Sequence, residues 1–278
     1  MANLRIEEYP VVWFQGGGCS GCSVSVLNTV SPSIKNLLID EVVPGKHVSL
    51  KFHPTIMAGA GRLAIEALER SEQKGGHLLV VEGAINEEVG QHVAALARKA
   101  MAAIALGTCA SFGGIPAARP NPGRFVSLGD FLRSKGISTP LINIPGCPPH
   151  PDWFVQTVAG VLLHGLPKPA DLDEYRRPKI FFGQLIHENC PRRAYYDEGK
   201  FAKKLSDPGC LYELGCKGPV TYADCPIRLW NGGVNWCIGI GSPCIGCCEP
   251  GFPDQVSPLY EKMSEAAVGA IGGSRKEV

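Results

Sequence analysis

The stretch His77–Cys109 reads HLLVVEGAINEEVGQHVAALARKAMAAIALGTC. His77–Val81 is a short continuous apolar run, the pattern of a buried strand. Asn86 caps a helix rich in Ala and Val that extends to Lys99. Ala102–Leu106 is a further strand, and Gly107-Thr108-Cys109 follows it directly. Strand, helix and strand in succession imply a parallel pair joined by a crossover helix.

The same alternation extends on both sides. Upstream, Val11–Gln15 is a strand ending in Gly16-Gly17-Gly18, and a helix spans Ser23–Val30. Val48–Phe52 is a strand, and Gly59–Ser71 is a helix with Leu63, Ile65, Ala67 and Leu68 between charges. Downstream, Leu141–Ile144 is a fifth strand and Asp152–Leu163 a closing helix. The fold class is therefore α/β, with an N-terminal flavodoxin-like, doubly wound parallel sheet over residues 1–170.

In such a sheet all strands end at one edge, and ligands bind outside that edge. Cys19 and Cys22 follow the first strand, Cys109 the fourth and Cys147 the fifth. Four thiolates brought to one edge match a [4Fe–4S] cluster. Glu82 ends a strand at the same edge, as a proton relay or hydrogen-bond partner, or as a carboxylate capping the next turn. The glycine run at 16–18 lacks both the Gly-Lys-Ser/Thr and the Gly-x-Gly-x-x-Gly contexts of nucleotide sites.

Eight of the 12 cysteines lie beyond residue 170, where regular patterning fades. Ile180–Leu185 is expected as a strand, Asp197–Leu205 and Ser257–Ile271 as helices, and the rest of 171–278 as a loop-rich iron–sulfur domain. Spacing separates two ligand sets. His187-x-x-Cys190 with Cys210 and Cys216 suits zinc or a cluster. Cys225, Cys237, Cys244 and Cys247 offer four more thiolates, and Cys248 is left as a buried spare thiol. Disulfides suit small secreted domains rather than a chain of 278 residues. The Gly and Pro beside nearly every cysteine favour clusters over zinc, because such turns expose backbone N–H groups to cluster sulfides. Three clusters in one chain read as a path for single electrons.

Composition narrows the partners. With 27 Lys+Arg against 26 Asp+Glu the net charge is +1, which leaves no footprint for nucleic acid. Charged residues make up 19% of the chain, below the ordinary share of about 25%. A surface so poor in charge suits cover by another subunit. Met101–Ala118 and Leu229–Cys248 are uncharged but too broken to form a span of about 20 apolar residues. Met1–Pro10 shows no signal peptide, so the expectation is a processed chain or a cytoplasmic one.

Taken together, Cys19-Ser-Gly-Cys22-Ser, Gly107-Thr-Cys109, Pro145-Gly-Cys147-Pro-Pro, His187-x-x-Cys190 and Asn235-Trp236-x6-Pro243-Cys244-Ile-Gly-Cys247 resemble the small subunit of nickel–iron hydrogenases. The resemblance covers the whole chain. It implies three [4Fe–4S] clusters: a proximal one on Cys19, Cys22, Cys109 and Cys147; a distal one on His187, Cys190, Cys210 and Cys216; and a medial one on Cys225, Cys237, Cys244 and Cys247. The common family pattern has Pro at the position of Cys237 and a three-iron medial cluster, so the medial site is [3Fe–4S] if Cys237 is not a ligand. Many relatives also carry Glu two residues after the second cysteine, where this chain has Val24. Both departures look like the nickel–iron–selenium branch.

The resemblance further implies a heterodimer in which a large subunit splits H2 at its nickel–iron centre. No catalytic residue falls in this chain. Its clusters would carry electrons to or from an external carrier such as a c-type cytochrome, in the periplasm, with any membrane contact through a tether. Cofactor-reducing hydrogenases and quinone reductases have related subunits, but are not expected to share all three ligand sets. A free-standing ferredoxin-like carrier and a zinc-stabilised interaction protein are the other readings.

Overall fold

The computed structural model describes residues 7–38, 40, 45–264 and 268. The chain divides into two compact units, 1–178 and 179–278.

The first unit is a five-stranded parallel sheet. Its strands are β1 (Glu7–Gln15), β2 (Lys46–Phe52), β3 (Leu78–Glu82), β4 (Ala102–Leu106) and β5 (Leu141–Ile144), in the spatial order β2-β1-β3-β4-β5. This is the flavodoxin-like order, so the expected α/β fold class is observed. The connecting helices are α1 (Gly21–Leu27), α2 (Ile34–Leu38), α3 (Arg62–Lys74), α4 (Glu87–Lys99), α5 (Gly107–Phe112), α6 (Gly114–Ala117), α7 (Leu128–Ser134) and α8 (Pro151–His164).

Side chains of period two divide between the sheet's faces. Val12, Phe14, Leu79, Val81, Ala103 and Ala105 pack with Leu68 of α3, Val93 and Leu96 of α4, and Phe131 and Leu132 of α7. Val11 and Trp13 point the other way, where Trp13 meets Phe154 of α8 edge-on at 5.2 Å. β3 and β4 are buried at every position, which is why they read as unbroken apolar runs.

Caps agree with local chemistry. The Asn86 side chain accepts from the Val89 amide at 3.3 Å, as expected from the sequence. Ser127 Oγ accepts from the Asp130 amide at 3.0 Å and starts α7, a helix the sequence reading did not place. Residues after α8 return to the sheet. The Asn143 amide donates to Arg176 O at 2.9 Å, and Asn143 Nδ2 donates to Tyr175 O at 2.8 Å. These bonds hold the segment before Pro178 in the first unit.

Among its described residues the second unit has short helices, α9 (Lys179–Phe182), α10 (Arg193–Asp197) and α11 (Cys225–Arg228), three single 3-10 turns and otherwise loops and bends. Three expectations are corrected here. Ile180–Leu185 is not a strand: its first residues belong to α9, and Leu185 makes an isolated bridge to Tyr222. Asp197–Leu205 is not a helix. The helix precedes it and stops at Gly199, whose φ of +67° turns the chain so that the Lys200 amide reaches Tyr195 O at 2.7 Å. Ser257–Ser264 forms turns, and the remainder of the expected 257–271 helix lies outside the described residues apart from 268. Among the described residues no helix is long and apolar enough to cross a membrane.

Leu79 is fully buried in the centre of the sheet. Leu79→Ala is expected to destabilise the first unit by about 2–5 kcal/mol, read as a lower denaturant midpoint at unchanged slope.

Candidate metal centres

Register decides the first site. Gln15 pairs with Glu82, Glu82 with Leu106, and Leu106 with Ile144. Four strands therefore end in one row, and the loops that follow them start side by side. Backbone bonds then join these loops. Gly16 N donates to Glu82 O at 2.7 Å, Gly17 and Ala84 exchange bonds of 2.8 and 2.7 Å, and Thr108 N donates to Gly146 O at 2.9 Å. The Thr108 hydroxyl returns a bond to Gly146, accepting from its amide at 2.9 Å.

Cys19, Cys109 and Cys147 lie in segments that follow this row and within electrostatic reach of Cys22. Burial pushes the Cys22 thiol far up, and the charges of Glu82, Cys109, Cys19 and Cys147 add to that push. Cys109 is raised by burial, opposed by the Ile115 amide. Cys19 and Cys147 lie exposed at the mouth, and Cys22 lies buried at the floor. Gly107 makes the fit possible. Its φ is +85°, and a Cβ there would run into Cys22 Sγ.

Glu82 holds the floor in place. It is buried, and its carboxylate accepts from the Cys22 amide at 3.0 Å, the Ser23 amide at 3.1 Å and the Ser23 hydroxyl. Trp13 Nε1 and Gln15 Nε2 donate to it at 3.0 and 3.1 Å. Rather than capping the turn that follows its own strand, it caps the first turn of α1 from across the sheet. Ser23 Oγ lies 3.3 Å from His53 Nε2, and burial lowers the pKa of His53 to about 4.

The second unit contains two groupings. His187, Cys190, Cys210 and Cys216 line one pocket, together with Arg192, Leu211, Gly218 and Ile238. The His187 ring stands edge-on to Tyr196 at 4.6 Å, and its buried Nε2 has no hydrogen-bond partner. Burial lowers its pKa, as does Arg193, so the neutral ring with a lone pair at one nitrogen is favoured. Burial raises the thiols: Cys216 to about 11, while Cys190 and Cys210 are raised against the amides of Arg192 and Tyr212.

Cys225, Cys237, Cys244 and Cys247 form the other grouping. Burial raises Cys225, Cys237 and Cys244, with Cys247 adding to each. The Gly246 amide donates to Cys244 Sγ at 3.4 Å. Cys248 is also buried, with Sγ 3.9 Å from Cys247 Sγ. Among the described residues no His, Cys, Asp or Glu group closes on one point as a single-ion site would. The donor chemistry of each set suits a larger group. Soft thiolates at electrostatic reach of one another, and one unpartnered imidazole nitrogen, are what an iron–sulfur cluster takes as ligands.

Lys217 was not singled out from the sequence. The signal was a charged residue directly after Cys216, in Cys216-Lys217-Gly218-Pro219, inside a cysteine-bearing turn. Its placement is visible only in three dimensions: the amide donates to Cys244 O at 2.7 Å, and the side chain is buried.

Comparison with known proteins covers both units. Residues 182–260 match the family model for the C-terminal part of the NiFe/NiFeSe hydrogenase small subunit, and residues 19–161 match that of the NADH ubiquinone oxidoreductase 20 kDa subunit. The chain is 45% identical to the periplasmic [NiFeSe] hydrogenase small subunit of Desulfomicrobium baculatum, over 91% of this chain and 87% of that subunit. It is 39% identical to the hydrogenase-2 small chain of Escherichia coli K12, over 96% of this chain and 80% of that one. A solved structure of the D. baculatum [NiFeSe] hydrogenase, H2-activated and anaerobically purified, superposes with a TM-score of 0.84 at 44% identity, covering 92% of this chain and all of its counterpart. Sequence, fold and cysteine placement thus lead to one conclusion: the chain belongs to the NiFe/NiFeSe hydrogenase small-subunit family and is part of a hydrogenase.

Proposed function

We propose that this chain carries electrons between the H2-activating centre of a hydrogenase large subunit and an external redox carrier, through three iron–sulfur clusters. The observation that supports this reading is that Cys19, Cys109 and Cys147 act on Cys22, that His187, Cys190, Cys210 and Cys216 line one pocket, and that Cys237 and Cys247 act on Cys225. In this reading residues 1–170 hold the proximal cluster on Cys19, Cys22, Cys109 and Cys147. Residues 171–278 hold the distal cluster on His187, Cys190, Cys210 and Cys216, and the medial cluster on Cys225, Cys237, Cys244 and Cys247. Such clusters supply one-electron storage and transfer.

The chain's own residues supply the setting. Buried thiols without a metal are strongly disfavoured as thiolates, and iron's positive charge offsets that penalty. Amides of Gly21 and Gly246 donate to Cys19 and Cys244 sulfurs at 3.3 and 3.4 Å, and such bonds raise a cluster's potential. A neutral His187 in place of a fourth thiolate acts in the same direction at the distal site, because it removes one negative charge. Cys237 completes four thiolates at the medial site, so we assign [4Fe–4S] there.

In this reading the large subunit covers the exposed side of the first set. Cys19 and Cys147 are open on this chain, and Val24, Leu27 and Val30, in and after the helix that follows Cys19, are 52%, 46% and 69% exposed. Apolar residues left uncovered around a cluster site suit a subunit interface that shields it from water. Names of relatives place them in the periplasm, and we place this chain there.

Iron and sulfide analysis of the purified complex, with EPR of oxidised and reduced forms, tests the proposal. About twelve irons per chain and no oxidised three-iron signal are expected for three four-iron clusters. Zinc in place of iron would overturn the electron-transfer reading. About eleven irons with a three-iron signal would remove Cys237 from the ligand set. Cys237→Pro is expected to produce that three-iron signal in an otherwise intact complex. His187→Ala is expected to slow reduction of an external acceptor far more than hydrogen isotope exchange at the large subunit. Equal losses of both would take His187 out of the exit route.

A further inference from the structure

Lys217 stands between the second and third cysteine sets and touches both. It is bonded covalently to Cys216, and its amide donates to Cys244 O at 2.7 Å. The carbonyl of Lys217 accepts the Thr221 hydroxyl at 2.6 Å, and that hydroxyl lies 3.8 Å from Cys244 Sγ. The backbone around Lys217 therefore joins a ligand residue of one set to a ligand residue of the other.

The side chain is 1% exposed. Its Nζ donates to Glu261 O at 2.6 Å and to Pro258 O at 3.3 Å, so two backbone carbonyls orient it. Neutral carbonyls hold an ammonium in position without cancelling its charge. A buried cation is costly unless negative charge lies close by. Burial lowers the Lys217 pKa, and Cys216, Cys244 and Glu261 beside it oppose that fall.

We propose that Lys217 is a positioning residue shared by two cluster sites, whose buried positive charge raises the reduction potentials of both together. The proposal rests on reading these two sets as cluster sites. Its physical basis is that added negative charge on a cluster is stabilised by a fixed cation in a medium of low dielectric constant. Each reduction adds one electron and each oxidation removes one; no bond forms or breaks, and Lys217 keeps its proton. Because one charge serves both sites, it lifts their potentials as a pair and preserves the driving force between them. Two separate cations would tune each site alone.

The test is an EPR-monitored redox titration of the assembled complex carrying Lys217→Met, Lys217→Gln or Lys217→Arg. Met removes the charge at similar length, and Gln removes it while keeping a donor for the Glu261 carbonyl. Either neutral variant is expected to shift the two second-unit midpoints to lower potential together, with the first-unit midpoint unmoved. Arg is expected to restore both towards the wild-type values. A shift in only one midpoint, or in neither, overturns the proposal. So does an equal shift in all three, which would report a general change in structure. A neutral variant that lowers thermal stability but leaves both potentials in place would reduce Lys217 to a structural anchor for 258–261. A wild-type complex with no cluster signals would instead overturn the cluster reading itself.

Discussion

The parallel register of β1, β3, β4 and β5 is the constraint on which the first site depends. Gln15, Glu82, Leu106 and Ile144 share one row. Hydrogen bonds of the ladder fix that row, and a slip by one residue would send every side chain to the opposite face. Full burial of β3 and β4 makes such a slip costly. With the row fixed, the loops bearing Cys19, Cys22, Cys109 and Cys147 have little freedom. Glu82 adds a second restraint by accepting from the amides of Cys22 and Ser23. A strand-end carboxylate thereby sets where a helix begins, and the helix sets where a thiol lies.

The two units hold their candidate ligands by different means. In the first, a large apolar core is built between the sheet and its helices, and the thiols stand in segments at its edge. In the second, regular elements are short and the thiols themselves occupy much of the interior. Cys210, Cys216, Cys244 and Cys248 are buried there alongside Phe181, Phe182, Ile186 and Trp236. Burial disfavours thiolates, and neighbouring thiolates repel one another. A fold that gathers them is therefore stable with a positively charged group among them, and weak without it. Loop-rich backbone suits this arrangement, because turns present amides to sulfur.

The strands of the first unit were legible to within a few residues. Ala102–Leu106 and Leu141–Ile144 coincide with their observed limits. Both are buried runs bounded by Gly or Pro, the clearest signal a strand gives. The helix α7 was missed because only seven residues, Leu128–Ser134, carry it. The second unit defeated periodicity. Ile180–Leu185 is apolar but helical at its start, and apolar runs this short do not separate strand from helix. Tyr195 and Tyr196 fall in a five-residue helix that Gly199 terminates, and too few turns are present to produce a pattern.

What the sequence determined by itself is the fold class, the family and the identity of the candidate ligands. Cysteine spacing and strand-end placement are local properties, written in consecutive residues, so they survive without coordinates. What only the tertiary structure decided is how these residues are held. Nothing local tells that Glu82 would cap α1 from a strand 60 residues away in sequence. Nor does it tell that the His187 Nε2 would be left without a partner, or that Lys217 would lie buried against Cys244. These relations depend on long-range packing, in which apolar burial chooses the neighbours and the hydrogen-bonding groups must then be satisfied by whatever segment arrives.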